Sequence, residues 1–170
     1  LGRVEGGEIK LTSYQAFTGS YSAELHLPYR CTQASLMQRL VVPKNSKLVF
    51  SAKAENLPSS DFYFNVYILD YSDLYKDYSS EYHPRIYVLP QDSLIVGEWT
   101  TKEYDLSKIA GQYDLSKIAG HYVNLVFYFD AWGVCEEALD AHVYLDEVKI
   151  TNSGKEVCDD NIDNDNDDLI

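Results

Sequence analysis

The chain has 170 residues, of which 45% are hydrophobic, enough for one domain with a sizeable core. Its formal net charge of −13 argues against nucleic acid and anionic membranes as natural partners, because phosphate surfaces need a basic footprint. No run of eighteen apolar residues is present, so no helical membrane span is expected.

Period-two alternation dominates from the first third onward. Tyr21-Ser22-Ala23-Glu24-Leu25-His26-Leu27 places Tyr21, Ala23, Leu25 and Leu27 on one face. Lys47–Lys53 is a short apolar strand. Phe62–Leu69 follows, with Phe62, Phe64, Val66 and Ile68 on one side. Tyr122–Phe129 and His142–Ile150 complete the series. Strand-sized runs bounded by Gly, Pro, Asn, Asp and Ser predict an all-β antiparallel sandwich.

One segment repeats. Tyr104-Asp105-Leu106-Ser107-Lys108-Ile109-Ala110-Gly111 recurs as Tyr113-Asp114-Leu115-Ser116-Lys117-Ile118-Ala119-Gly120, a period of nine. That is too short a unit for a solenoid. It reads as a tandem duplication in a surface connection, where insertions cost little. Asp105–Ala110 and Asp114–Ala119 are the short-helix candidates, each with Asp near its start. After Ile150 the polar stretch Thr151-Asn152-Ser153-Gly154-Lys155 marks a boundary, giving a sandwich over 1–152 and an acidic tail over 153–170. From Lys155 onward one Lys stands against one Glu and six Asp, a net −6 of the chain's −13. The chain is read as a mature or trimmed piece of a longer protein.

Three passages carry a family resemblance: Thr18-Gly19-Ser20-Tyr21-Ser22-Ala23-Glu24-Leu25; Gly97-Glu98-Trp99-Thr100 leading to Tyr113-Asp114-Leu115-Ser116 and Gly120; and Val143-Tyr144-Leu145-Asp146-Glu147-Val148-Lys149-Ile150. In this order they resemble jelly-roll modules of secreted and surface proteins, among them carbohydrate-binding modules and MAM-like domains. The resemblance implies a galactose-binding-like jelly roll that binds rather than catalyses, in a secreted or cell-surface protein. It also implies that an acidic residue of the closing strand, Asp146, helps hold a structural Ca²⁺ near the N-terminal segment, with Glu5 and Glu8 as partners. Such modules open with a strand ahead of the first passage, and here only Leu1–Thr18 is available. That strand is therefore expected to be shortened, to lie upstream, or to come from a neighbouring subunit by strand complementation.

The tail, Cys158-Asp159-Asp160-Asn161-Ile162-Asp163-Asn164-Asp165-Asn166-Asp167-Asp168, resembles a Cys- and Asp-rich metal-binding motif of secreted microbial proteins. It departs from the motif at Asn161 and Asp168, where Gly is usual, and at Asn166, where a second Cys is common. Asp163, Asp165 and Asp167 alternate as do the first ligands of a calcium loop, and hard oxygen donors at i, i+2 and i+4 suit Ca²⁺.

Fifteen tyrosines are the compositional oddity. Tyr67, Tyr71, Tyr75, Tyr78, Tyr82 and Tyr87 crowd a stretch that also holds Asp70, Asp73, Asp77 and Glu81. Apolar ring faces beside carboxylates are what a glycan needs. Trp132, in Asp130-Ala131-Trp132-Gly133, is a loop-tip candidate for the same role. Of the three cysteines, Cys31 and Cys135 would close a long loop if paired, leaving Cys158 over. Cys135–Cys158 is the alternative pairing. The histidines His26, His83, His121 and His142 are scattered and read as structural. No GxSxG, HExxH or P-loop is present. The expectation is a non-catalytic glycan-binding module stabilised by Ca²⁺. The competing expectation is a subunit of an extracellular assembly, partnered by its neighbours.

Overall fold

In the computed structural model the described residues are 3–43, 46–57, 62–70, 85–87, 94, 96–106, 122–132, 135 and 137–152. They form ten strands: β1 Arg3–Glu5, β2 Glu8–Thr12, β3 Ser22–Tyr29, β4 Thr32–Val41, β5 Ser46–Glu55, β6 Phe62–Asp70, β7 Arg85–Tyr87, β8 Thr100–Asp105, β9 Tyr122–Ala131 and β10 Ala138–Asn152. Two five-stranded sheets result, β1-β4-β9-β6-β7 (sheet A) and β2-β3-β10-β5-β8 (sheet B). Every strand pairing is antiparallel.

The core follows from alternation, because successive side chains on a strand point to opposite faces. Leu25 and Leu27 of β3, Phe50 of β5, Phe64 and Val66 of β6, Phe127 and Phe129 of β9, and Val143 and Leu145 of β10 are all buried in one cluster. Phe50 meets Phe127 edge-on, ring centroids 5.2 Å apart, and so joins the middles of the two sheets. Tyr21 departs from its expected face. It precedes β3 and is exposed, while Ser22 and Glu24 are the buried outward-facing residues there.

β10 keeps its inner face apolar by changing parity. Ala141, Val143 and Leu145 face the core, then Val148 and Ile150 do. The switch falls where the pairing with β5 shifts between Asp146 and Lys149, with Glu147 at φ +51°. The inserted bulge residue makes the step from Leu145 to Val148 three residues instead of two, and so returns the apolar side chains to the inward face. A second irregularity, between Ala138 and Ala141, puts Asp140 at φ +53°.

The opening strand is shortened and belongs to this chain. Residues 3–12 supply it in two pieces, β1 on the edge of sheet A and β2 on the edge of sheet B. The break is Gly6-Gly7. Gly6 has φ +77°, in the left-handed region that favours glycine. A Cβ on Gly7 would lie 2.7 Å from the Gln33 carbonyl oxygen. Gly7→Ala is therefore expected to cost about 1–3 kcal/mol by overpacking, seen as a lower denaturation midpoint at unchanged slope. Of the short-helix candidates, Asp105 ends β8 and Leu106 lies in a turn. The rest of both helix candidates falls outside the described residues.

Candidate functional site

The outer face of sheet A carries the most distinctive surface. Along β9, Val123, Leu125, Phe127, Phe129 and Ala131 point into the core, so Asn124, Val126, Tyr128 and Asp130 point outward. Strand pairing sets these in rows: Gln33–Asp130–Tyr63, then Ser35–Tyr128–Asn65, then Met37–Val126–Tyr67. Two adjoining hollows follow the rows. One, of about 330 Å³, is lined by Gln33, Tyr128, Asp130 and Trp132 among others. The next, of about 230 Å³, is lined by Ser35, Met37, Tyr67 and Tyr128 among others. Sharing Gln33 and Tyr128, they make one groove running along β9.

At one end Trp132 is 61% exposed, yet three contacts hold it. Its indole Nε1 donates to Asp130 Oδ2 at 3.0 Å. Its carbonyl accepts from Arg30 Nη1 at 2.8 Å. Its ring meets Tyr63 edge-on, centroids 6.4 Å apart. Tyr128 Oη lies 2.9 Å from the same Asp130 oxygen and 2.6 Å from Gln33 Oε1. One phenolic proton cannot fully serve both acceptors, so the Gln33 amide is best turned to donate through Nε2. The groove therefore offers an aromatic plate, a phenol, a carboxamide and a carboxylate within two strand rows.

The neighbouring turn holds this plate in place. Cys31, at φ +60° between β3 and β4, is disulfide-bonded to Cys135, Cα atoms 5.0 Å apart. Arg30 Nε pairs with Glu137 at 2.9 Å. The Cys31 backbone N–H donates to the Ala131 carbonyl at 2.8 Å. The disulfide, the ion pair and the backbone bond all bind the β3–β4 turn to the segment that presents Trp132.

The residues singled out from sequence divide unevenly. Trp132 and Tyr67 both line the groove. Tyr67 is buried within it, its ring tilted against Tyr128 at 6.3 Å. Tyr71, Tyr75, Tyr78 and Tyr82 lie outside the described residues, as do Asp163, Asp165 and Asp167. Tyr87 pairs with Tyr67 through the backbone of β7. Asp146 and Glu8 are not brought together. Asp146 Oδ2 accepts the backbone N–H groups of Phe17 and Thr18 at 2.9 and 3.0 Å, and Oδ1 that of Glu147 at 2.7 Å. Its carboxylate thus ties the β2–β3 loop to the bulge of β10. Glu8 lies opposite His26 at the far edge of the same sheet, and Glu5 pairs by its backbone with Gln33 in the other sheet. Tyr63, Gln33, Tyr128 and Asp130 went unnoticed in sequence. The signal for two of them was present, since Tyr128, Asp130 and Trp132 are spaced by two and follow the exposed face of an alternating strand.

No protein-family model matches the chain, and no curated protein matches its sequence. Solved structures match its shape. The family 30 carbohydrate-binding module of the cellulosomal cellulase Cel9D-Cel44B of Clostridium thermocellum superposes with TM-score 0.57 at 15% identity, over 91% of this chain and 92% of that one. TmCBM61, solved with β-1,4-galactotriose, gives 0.52 at 13% identity, over 89% and 88%. The Spr0440 glycoside hydrolase domain, Endo-D, of Streptococcus pneumoniae R6 gives 0.51 at 17% identity, over 92% of this chain and 22% of that one. At such identities the likeness is one of fold: the chain is an all-β antiparallel sandwich of the jelly-roll kind, shared with carbohydrate-binding modules.

Proposed function

We propose that this chain is a non-catalytic, extracellular carbohydrate-binding module whose ligand surface is the outer groove of sheet A. The observation that carries the reading is Trp132, an exposed indole held by Asp130 and Tyr63, with its backbone carbonyl fixed by Arg30, beside Gln33 and Tyr128. Pyranose rings have apolar C–H faces that stack on an aromatic plate and hydroxyl groups that need acceptors and donors at its rim. Two joined hollows along a strand suit a linear chain of sugars better than a single one. A β-linked polysaccharide is the ligand class in view, and the galactotriose held by TmCBM61 makes β-1,4-galactan the first to try. Asp130 is the one carboxylate among the described residues lining the two hollows. Glycoside hydrolysis ordinarily uses a pair, which favours binding over cleavage. The disulfide fits an oxidising, extracellular setting.

Calcium enters this reading through the spacing of Asp163, Asp165 and Asp167. Retardation of the chain in gels containing β-1,4-galactan, xylan or mixed β-glucan, with Ca²⁺ or with a chelator, tests both parts. Retardation by at least one polysaccharide is expected, with a higher melting temperature in Ca²⁺. No retardation by any of them, together with Ca²⁺-dependent self-association, would replace the module by the assembly subunit.

A further inference from the structure

The opposite face of the molecule holds a second constellation, unconnected with the groove. Four strands of sheet B contribute one transverse row on the outer face: Glu8 of β2, His26 of β3, His142 of β10 and Glu55 of β5. The two imidazoles lie nearly parallel, 5° apart in plane, with centroids separated by 4.4 Å. Asp140, lifted out of the ladder by its bulge, reaches over both. Its Oδ1 is 3.1 Å from His26 Nε2 and 3.2 Å from His142 Nε2. The other nitrogen of each ring has its own carboxylate. His26 Nδ1 is 3.3 Å from Glu8 Oε2, and His142 Nδ1 is 2.9 Å from Glu24 Oε1.

This pattern has a chemical logic. A carboxylate at Nδ1 favours the tautomer that carries its proton there, which leaves the lone pair on Nε2. Two such lone pairs and a carboxylate oxygen then converge on one place and repel each other unless positive charge stands among them. Carboxylate-to-histidine bonds of this kind orient and strengthen metal-ligating imidazoles. The three ligand atoms lie within 4.8 Å of one another. A tetrahedral zinc ion with bonds of 2.0–2.1 Å separates its donors by about 3.3 Å, close to both nitrogen–oxygen distances. Charge agrees as well. Glu8, Glu24 and Asp140 are offset nearby by Lys10, whose Nζ is 3.2 Å from Glu24, so with neutral rings the cluster has room for a divalent cation.

We infer that His26, His142 and Asp140 form a surface site for a late first-row divalent metal of the zinc class, with Glu8 and Glu24 as positioning residues. Two imidazole nitrogens and one carboxylate oxygen select such an ion over Ca²⁺ or Mg²⁺, which prefer all-oxygen shells. The parallel rings must tilt toward each other to share the ion, a rotation about their Cβ–Cγ bonds. Asp140 stays largely exposed and His26 and His142 are each about one-seventh exposed, with side-chain values of 74%, 14% and 15%. The ion therefore has an entry path and keeps a coordination position open to solvent. The backbone supports the arrangement, since Asn56 Nδ2 donates to the Asp140 carbonyl at 3.2 Å and holds the left-handed residue in place.

The test is calorimetric titration of Zn²⁺ into the untagged, metal-free full chain, with Mg²⁺ as the control ion and Co²⁺ absorption as a probe of nitrogen ligation. Saturable one-to-one Zn²⁺ binding is expected, with a rise in melting temperature that Mg²⁺ does not produce. His26→Gln and His142→Gln should each remove the Co²⁺ bands. Glu8→Gln, which leaves all three ligands in place, should weaken binding by about tenfold or more. If a histidine variant does not fold, Asp140→Asn on its exposed side chain is read in its stead. Absence of saturable Zn²⁺ binding, or binding unchanged in the histidine and Asp140 variants, would overturn the site and leave a cluster of histidine–carboxylate hydrogen bonds. Trp132→Ala should leave Zn²⁺ binding untouched, which separates this site from the groove.

Discussion

Trp132→Ala is expected to weaken polysaccharide binding by about 30-fold or more while changing the stability of the fold by less than about 0.5 kcal/mol. The first figure rests on what a central aromatic anchor contributes, about 2 kcal/mol on truncation, with each 1.4 kcal/mol worth tenfold in affinity. The second rests on exposure: an indole 61% open to solvent contributes little to the core, and surface substitutions away from special features are usually close to neutral. Tyr67→Ala is the informative contrast. Tyr67 is 6% exposed, so its loss should lower stability as well as affinity. Affinity electrophoresis beside thermal denaturation separates the two. A Trp132→Ala chain that binds like the parent would move the ligand surface elsewhere.

Loss of the Cys31–Cys135 disulfide should cost about 2–5 kcal/mol. The bridge spans 104 residues, and in the chain-entropy view a closed loop of that size restrains the unfolded chain strongly. For a chain of this length each kcal/mol moves the melting temperature by roughly 2–4 °C, so a Cys31→Ala/Cys135→Ala double variant, or reduction of the parent, should melt roughly 5–20 °C lower. Binding should weaken with it, because the same bridge fastens the β3–β4 turn against the segment carrying Trp132. Cys158→Ser should change neither quantity. A Cys158→Ser chain that loses stability while Cys31→Ala does not would place the bridge between Cys135 and Cys158 instead.

The strands legible in the sequence were those with long alternating apolar runs: β3, β5, β6, β9 and most of β10. Phe62, Phe64, Val66 and Ile68 do share the inner face of β6, because burial on one side of a strand writes a period of two into the residues. The shorter or more polar strands were not legible. β1 has three residues and β2 five, and each is defined by the longer strand it pairs with. β4 was missed since its second half, Leu36-Met37-Gln38-Arg39-Leu40-Val41, does not alternate cleanly in polarity. The site divides in the same way. Trp132 stood out as a residue type, whereas Gln33 and Tyr63 reach the groove only through the pairing of β4 and β6 with β9. His26 and His142 are 116 residues apart in the chain and become cross-strand neighbours through a register that no local pattern encodes. Asp146, read by resemblance as a calcium ligand, spends its oxygens on backbone N–H groups, an arrangement set by the loop that packs against it.

Both sheets are centred on the last two strands of the described chain. β9 stands between β4 and β6, and β10 between β3 and β5. A nascent chain that has delivered β1 to β8 therefore holds the flanks of each sheet without the strand that joins them. Closing those long loops before any contact compensates is slow. The sandwich should form in one late step, once residues near 152 have left the ribosome. Until then the unpaired edges of β3 to β6 are the stretch a chaperone must shield.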